Sequence, residues 1–152
     1  MAIGGKAELL MEWNDTLAID HGEIDRDHKY LFMLTNRIYS AAKYGLKKTE
    51  VLNLLSEYVE YIAVHYNHEE MLMSRIHYPE MERHIQAHNI FFEKACDLLA
   101  RYERNDPDII AKISAYVGNY TFNHIDVYDK ELAEYCHNLN QFELLNPITS
   151  GN

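Results

Sequence analysis

The chain has only two cysteines, Cys96 and Cys136, and no apolar run approaching the roughly 20 residues that a membrane helix needs. The first scarcity excludes a disulfide-stapled scaffold. With no basic segment followed by a hydrophobic one over residues 1–6, the two thiols are expected to be reduced and buried, and the protein to be cytoplasmic. Cys96 stands in the spacing Phe92, Cys96, Leu99, which is ordinary core spacing. The second scarcity excludes membrane insertion. Positive charge is short as well: fourteen Lys and Arg against twenty-four Asp and Glu give a net charge of −10, a field that repels phosphate backbones and anionic head groups. Nucleic acids and membrane surfaces are therefore not expected partners. Glycine and proline are few, six and three in 152 residues, and repeats and low-complexity tracts are missing. What remains is a 47% apolar chain of single-domain size, spanning 1–152.

The sparse glycines and prolines separate four long segments of helical period. The first, about 22–44, places Ile24, His28, Leu31, Thr35, Ile38 and Ala42 on one stripe, and Gly45 ends it. The second, about 48–75, repeats Val51, Leu55, Tyr58, Ile62, His65, Glu69, Leu72 and Ile76. Pro79 opens the third, about 79–104, with His84, His88, Phe91, Ala95 and Leu99 on one face. Asp106 and Pro107 start the fourth, about 107–138, carrying Ile110, Ile113, Val117, Tyr120, His124 and Val127. Short connections force neighbouring helices to run antiparallel. The expected fold is all-α, an up-down-up-down four-helix bundle, with an N-terminal arm over 1–21 that contains Trp13. A short tail over 139–152 is expected to fold back through Phe142, Leu144 and Leu145.

Polar residues interrupt every one of these stripes. His28 stands on the first, His65 and Glu69 on the second, His84 and His88 on the third, and His124 with Asp129 on the fourth. Residues four apart differ by about 40° around a helix axis, so such a pair can reach one point. A single histidine on an apolar face is most often a hydrogen-bonded core residue. Two buried carboxylates, however, each cost several kcal/mol and repel one another. A multivalent cation removes both costs and keeps the imidazoles neutral. Counting along the helices also puts all four contributions at one depth of the bundle, consistent with a dinuclear metal site. His124 and Asp129, five apart and about 140° around an α-helix, suit one metal ion poorly and a bridging carboxylate better. Iron is the preferred metal, although imidazole and carboxylate without thiolate also suit zinc or manganese. His68 competes with His65, which alone has the four-residue relation to Glu69. His21, His77 and His137 lie near segment ends, as capping or solvated groups, and Glu70 is expected beside the ligands or at the surface.

A His in the first helix, then His-x-x-x-Glu, His-x-x-x-His and His-x-x-x-x-Asp in that order, resembles the hemerythrins, in particular the single-domain bacteriohemerythrins. The matching stretches are IDRDHKYLF at 24–32, HYNHEEMLM at 65–73, HYPEMERHIQAH at 77–88 and HIDVYDK at 124–130. The resemblance implies one iron on His84, His88 and His124 and a second on His28 and His65. Glu69, Asp129 and a solvent-derived oxo or hydroxo would bridge them. The second iron then keeps one open place, which implies reversible O2 binding for storage, delivery or scavenging, by a monomer or small homo-oligomer. The family's dry pocket carries Phe, Trp and Leu where this chain has Tyr66, Tyr120 and Thr121, while Leu31 and Ile125 keep the rest of the lining apolar. Added hydroxyls are expected to shorten the life of the oxygenated form. The alternative is a di-iron peroxidase or NO-handling enzyme acting on peroxide or NO in that polar pocket, and after it an oxygen or redox sensor. No Ser or Cys stands in a triad setting, so nucleophilic catalysis is not expected.

Overall fold

A computed structural model describes residues 11–20 and 22–145. His21 and the residues before 11 and after 145 lie outside it, as do the side chains of Ile110, Ala111, Ser114 and residues 141–145. The order of elements is a 3-10 turn at Asp15–Leu17, then α1 (Glu23–Tyr44), α2 (Lys48–Arg75), α3 (Met81–Glu103), α4 (Pro107–His124), a π-helical turn (Ile125–Asp129) and α5 (Lys130–Leu145). Among the described residues there is no strand.

Local chemistry sets the ends. Gly45 takes a left-handed conformation (φ 70°) that a side chain would resist, and its N–H and that of Leu46 close onto the Ala41 carbonyl. The Glu50 carboxylate reaches back to the Lys47 N–H at 3.1 Å to begin α2. Asp106 accepts from the Asp108 N–H at 3.0 Å, and Pro107 supplies a first-turn residue whose missing N–H costs nothing there. His77 (φ 53°) and Asn105 (φ 62°) turn the chain before and after α3. That helix begins at Met81, two residues after the expected Pro79, because 79 and 80 are used in the turn.

Two further differences concern the fourth segment. It is not one α-helix over 107–138, since the π-helical turn interrupts it: the Lys130 N–H bonds back to the Ile125 carbonyl five residues earlier. Helical backbone also continues to Leu145, so the expected tail at 139 begins as helix. No glycine or proline lies between 130 and 145 to stop it.

α1 packs on α2 and α4, and α3 packs on α2 and α4, so each of these four helices touches two neighbours around the ring. Leu34, Ile38, Leu55, Ile62, Leu98, Ile113 and Val117 form the long apolar core at one end. Ile19, Ile24, Met73, Tyr78, Leu132 and Cys136 form a smaller one at the other. Each aliphatic side chain withdrawn from water contributes about 1.5–3 kcal/mol. Between these two cores lies a polar layer. The arm closes the α1 flank there: Met11 and Asn36 exchange two hydrogen bonds (2.9 and 2.7 Å), Met11 packs with Phe32 and Ile125, and the Trp13 ring lies 6.4 Å from that of His28. Both cysteines are free, Cys136 buried and Cys96 against the larger core. No described helix is long and apolar enough to cross a membrane.

Candidate metal centre

The polar layer brings His28, His65, Glu69, His84, His88, His124 and Asp129 together, each 6% exposed or less. They fall into two overlapping groups, and Glu69 and Asp129 belong to both. Glu69 Oε1 faces His28 Nε2 at 3.2 Å and His65 Nε2 at 3.1 Å, whereas its Oε2 faces His88 Nε2 at 2.9 Å and His84 Nε2 at 3.4 Å. Asp129 divides the same way: Oδ2 lies 3.1 Å from His28 Nε2, and Oδ1 lies 3.2 and 3.1 Å from the Nε2 atoms of His84 and His124. Each carboxylate thus gives one oxygen to a two-imidazole group and the other to a three-imidazole group. The π-helical turn makes this possible, because an i to i+5 closure sets Asp129 over His124 much as i+4 sits over i in an α-helix. The sequence reading had placed the two about 140° apart on a regular helix.

The donor set fits cations. His84 Nε2, His124 Nε2 and both Asp129 oxygens are buried without a hydrogen-bond partner among the described residues, although Oδ1 lies 3.2 and 3.1 Å from those two nitrogens and Oδ2 lies 3.1 Å from His28 Nε2. The atoms converge while their angles are wrong for hydrogen bonds, which suits lone pairs aimed at a common ion. With no ion, protons do its work. Burial pushes the Glu69 and Asp129 carboxyls up, but the surrounding imidazoles, His65 foremost for Glu69 and His124 for Asp129, outweigh it and hold both well below their ordinary values. Burial likewise lowers His28 and His84, yet the Asp129 and Glu69 carboxylates beside them raise them to about 10 and about 9.

Beside the cluster is a cavity of about 20 Å³ walled by buried residues, enough for one small molecule. His28, His65, His124 and Asp129 form its polar wall, so both imidazoles of the two-imidazole group border it and, of the three-imidazole group, His124 alone. Leu31, Tyr66, Thr121 and Ile125, all expected at the pocket, line the rest, together with Tyr58, Ile62 and Phe91, which sequence reasoning had left in the general core. Tyr120 is elsewhere. It is half-buried on the outer surface of α4, stacked with Tyr116, edge-on to Phe91 and beneath Lys94. Phe91 fills the place between it and the cavity.

The cavity's polarity is largely self-contained. Thr121 donates its hydroxyl hydrogen to the Val117 carbonyl at 2.9 Å, so at 2.5 Å the Tyr58 hydroxyl must be the donor to Thr121, with Thr35 3.4 Å from the same oxygen. Tyr66 stacks on His88 (3.7 Å, 9°), and burial raises its phenol well above the ordinary value, keeping it protonated.

Around the cluster, two carboxylates back the imidazoles, and only Glu70 had been anticipated. Its Oε1 lies 3.0 Å from His88 Nδ1. Asp27 accepts from Tyr61 at 2.7 Å and lies 2.6 Å from His68 Nδ1 and 3.3 Å from His65 Nδ1. Burial pushes the Asp27 carboxyl up, but His65, His68 and Tyr61 hold it at about 2. His68 thus faces Asp27 and not the cluster, while His77 and His137 are exposed. A signal for Asp27 was present in the sequence: it directly precedes His28 on a buried stripe where a charge needs partners.

Residues 21–136 match the family model described as the hemerythrin HHE cation binding domain. The chain is 28% identical over 134 residues to a bacteriohemerythrin of Stenotrophomonas maltophilia, covering 88% of this chain and 86% of that protein. It is similar at 26% to a bacteriohemerythrin of Clostridium acetobutylicum (78% and 95% covered) and at 24% to one of Methylococcus capsulatus (80% and 92% covered).

Proposed function

The chain belongs to the hemerythrin family, and on that premise we propose that it binds O2 reversibly at a non-haem di-iron centre, for storage, delivery or scavenging. His84, His88 and His124 would hold one iron, His28 and His65 the other, with Glu69 and Asp129 across both. The division of each carboxylate's two oxygens between the two imidazole groups carries this reading, since a single ion would need no such division. When bound, a ferrous pair supplies the reversible electron transfer to O2 that no protein side chain offers.

The residues define where the guest goes. Three imidazoles crowd one side, whereas the two-imidazole side borders the 20 Å³ cavity. Leu31, Ile62, Phe91 and Ile125 exclude bulk water from it, which favours release of O2 over its reduction. Thr121 spends its hydrogen on Val117 and Tyr58 spends its own on Thr121, so they polarise the cavity without donating a proton to its occupant. Tyr66 is the lining phenol with no such commitment, and it is the group that can donate to a guest. Five neutral imidazoles against two carboxylates keep the layer's charge low, which favours the reduced metal and hence carriage over turnover.

Anaerobic loading with Fe(II), metal analysis and repeated cycling between air and argon test the reading. Two irons per chain and a charge-transfer band that appears and disappears without loss are expected. A chain that takes up iron without any O2-dependent band, or bleaches once and for all, is not a carrier.

A further inference from the structure

Asp27 is outside the seven-residue cluster yet as buried as its members, at 4% exposure. It faces a single stripe of α2, formed by Tyr61, His65 and His68 at i, i+4 and i+7. The two histidines of that stripe have opposite fates. His65 turns its Nε2 to Glu69 Oε1 at 3.1 Å, while His68 turns its Nε2 outward to the exposed Glu23, 3.4 Å away. Both present Nδ1 to the same oxygen, Asp27 Oδ2.

An imidazole that donates Nδ1–H keeps a lone pair on Nε2, so the acceptor at Nδ1 decides which nitrogen can bind a metal. Given the reading of the cluster as a metal centre, we propose that Asp27 is a positioning residue for its two-imidazole half: it locks His65 in the tautomer whose Nε2 faces the cluster and holds the competing His68 ring away. That half depends on it heavily, because its other imidazole, His28, has no partner at Nδ1 among the described residues. The opposite half has a more exposed counterpart in Glu70, a third exposed and 3.0 Å from His88 Nδ1.

Zinc, being diamagnetic, allows the test without iron or oxygen. In the full chain with ¹⁵N-labelled histidine and two equivalents of Zn(II), a slowly exchanging Nδ1–H is expected for His65. Asp27→Asn, nearly isosteric, should lose that signal and weaken the weaker zinc site by about 10–100-fold. Adding His68→Gln should recover part of that affinity by removing the ring that misligates. Tyr61→Phe, which takes a different donor from the same carboxylate, should keep both the signal and the affinity. An Asp27→Asn chain that loads zinc like the wild type, or a Tyr61→Phe chain that fails equally, overturns the positioning role while leaving the metal centre intact. A wild-type chain that takes up no zinc pair removes the metal-centre reading, and this proposal with it.

Discussion

The two halves of the polar layer share Glu69 and Asp129 but are built differently. The half with His84, His88 and His124 takes two residues from one helix face and a third from the end of α4, and Tyr66 stacks against it. The half with His28 and His65 draws one imidazole from each of α1 and α2, borders the cavity and is steadied from behind by Asp27. On the proposed reading, the fuller half holds its ion and the sparser one leaves room for a guest. Asymmetry of ligand number and of empty volume therefore coincide on the same side of the bundle, and neither would mean much without the other.

Removing a shared residue should erase the distinction altogether. Glu69→Ala deprives both halves of an oxygen and leaves five imidazoles without their main counter-charge, so iron per chain should fall close to zero by metal analysis. Single-imidazole variants should separate the halves. His65→Ala should lose the second ion and the O2 band yet retain the first, whereas His84→Ala should lower occupancy of both, since His84 lies against Glu69 and Asp129 alike.

A smaller effect distinguishes the metal-free from the loaded chain by pH. His28 and His84, raised from 6.5 to about 10 and about 9, stabilise the metal-free fold fully below 6.5, and that contribution disappears as pH rises through the raised values. Glu69 and Asp129, depressed from 4.5 and 3.8, stabilise it above those values and lose the contribution as pH falls through their lowered ones. The metal-free Tm should therefore peak between about 4.5 and 6.5 and decline toward pH 10, by about 2–4 °C per kcal/mol lost, while the loaded chain stays flatter on the alkaline side. Metal uptake at neutral pH should release protons. The smallest effects belong to the cavity wall. Tyr66→Phe should lengthen the life of the oxygenated form, Thr121→Leu should change it less because its hydrogen is already committed, and Tyr120→Trp should not change it.

Most of the fold was legible because the stripes and their punctuation agree: Gly45 and Asp106–Pro107 mark ends the backbone uses. The four-residue pairs placed the α2 and α3 donors on one point for the same reason. Periodicity was blind where regular geometry stops. It took His124 and Asp129 to be on diverging faces, since nothing in a 3.6-residue count announces a π-helical turn. The family resemblance, not periodicity, set Tyr120 in the pocket, where Phe91 from α3 stands instead. Asp27 went unnoticed because its partners, Tyr61, His65 and His68, lie on another helix.

Diffraction from crystals grown with Fe(II), recorded above and below the iron absorption edge, tests the central claim most directly. Two anomalous peaks are expected inside the polar layer, one among His84, His88 and His124 and one between His28 and His65, with Glu69 and Asp129 reaching both. A single peak, or peaks away from these seven side chains, would contradict it.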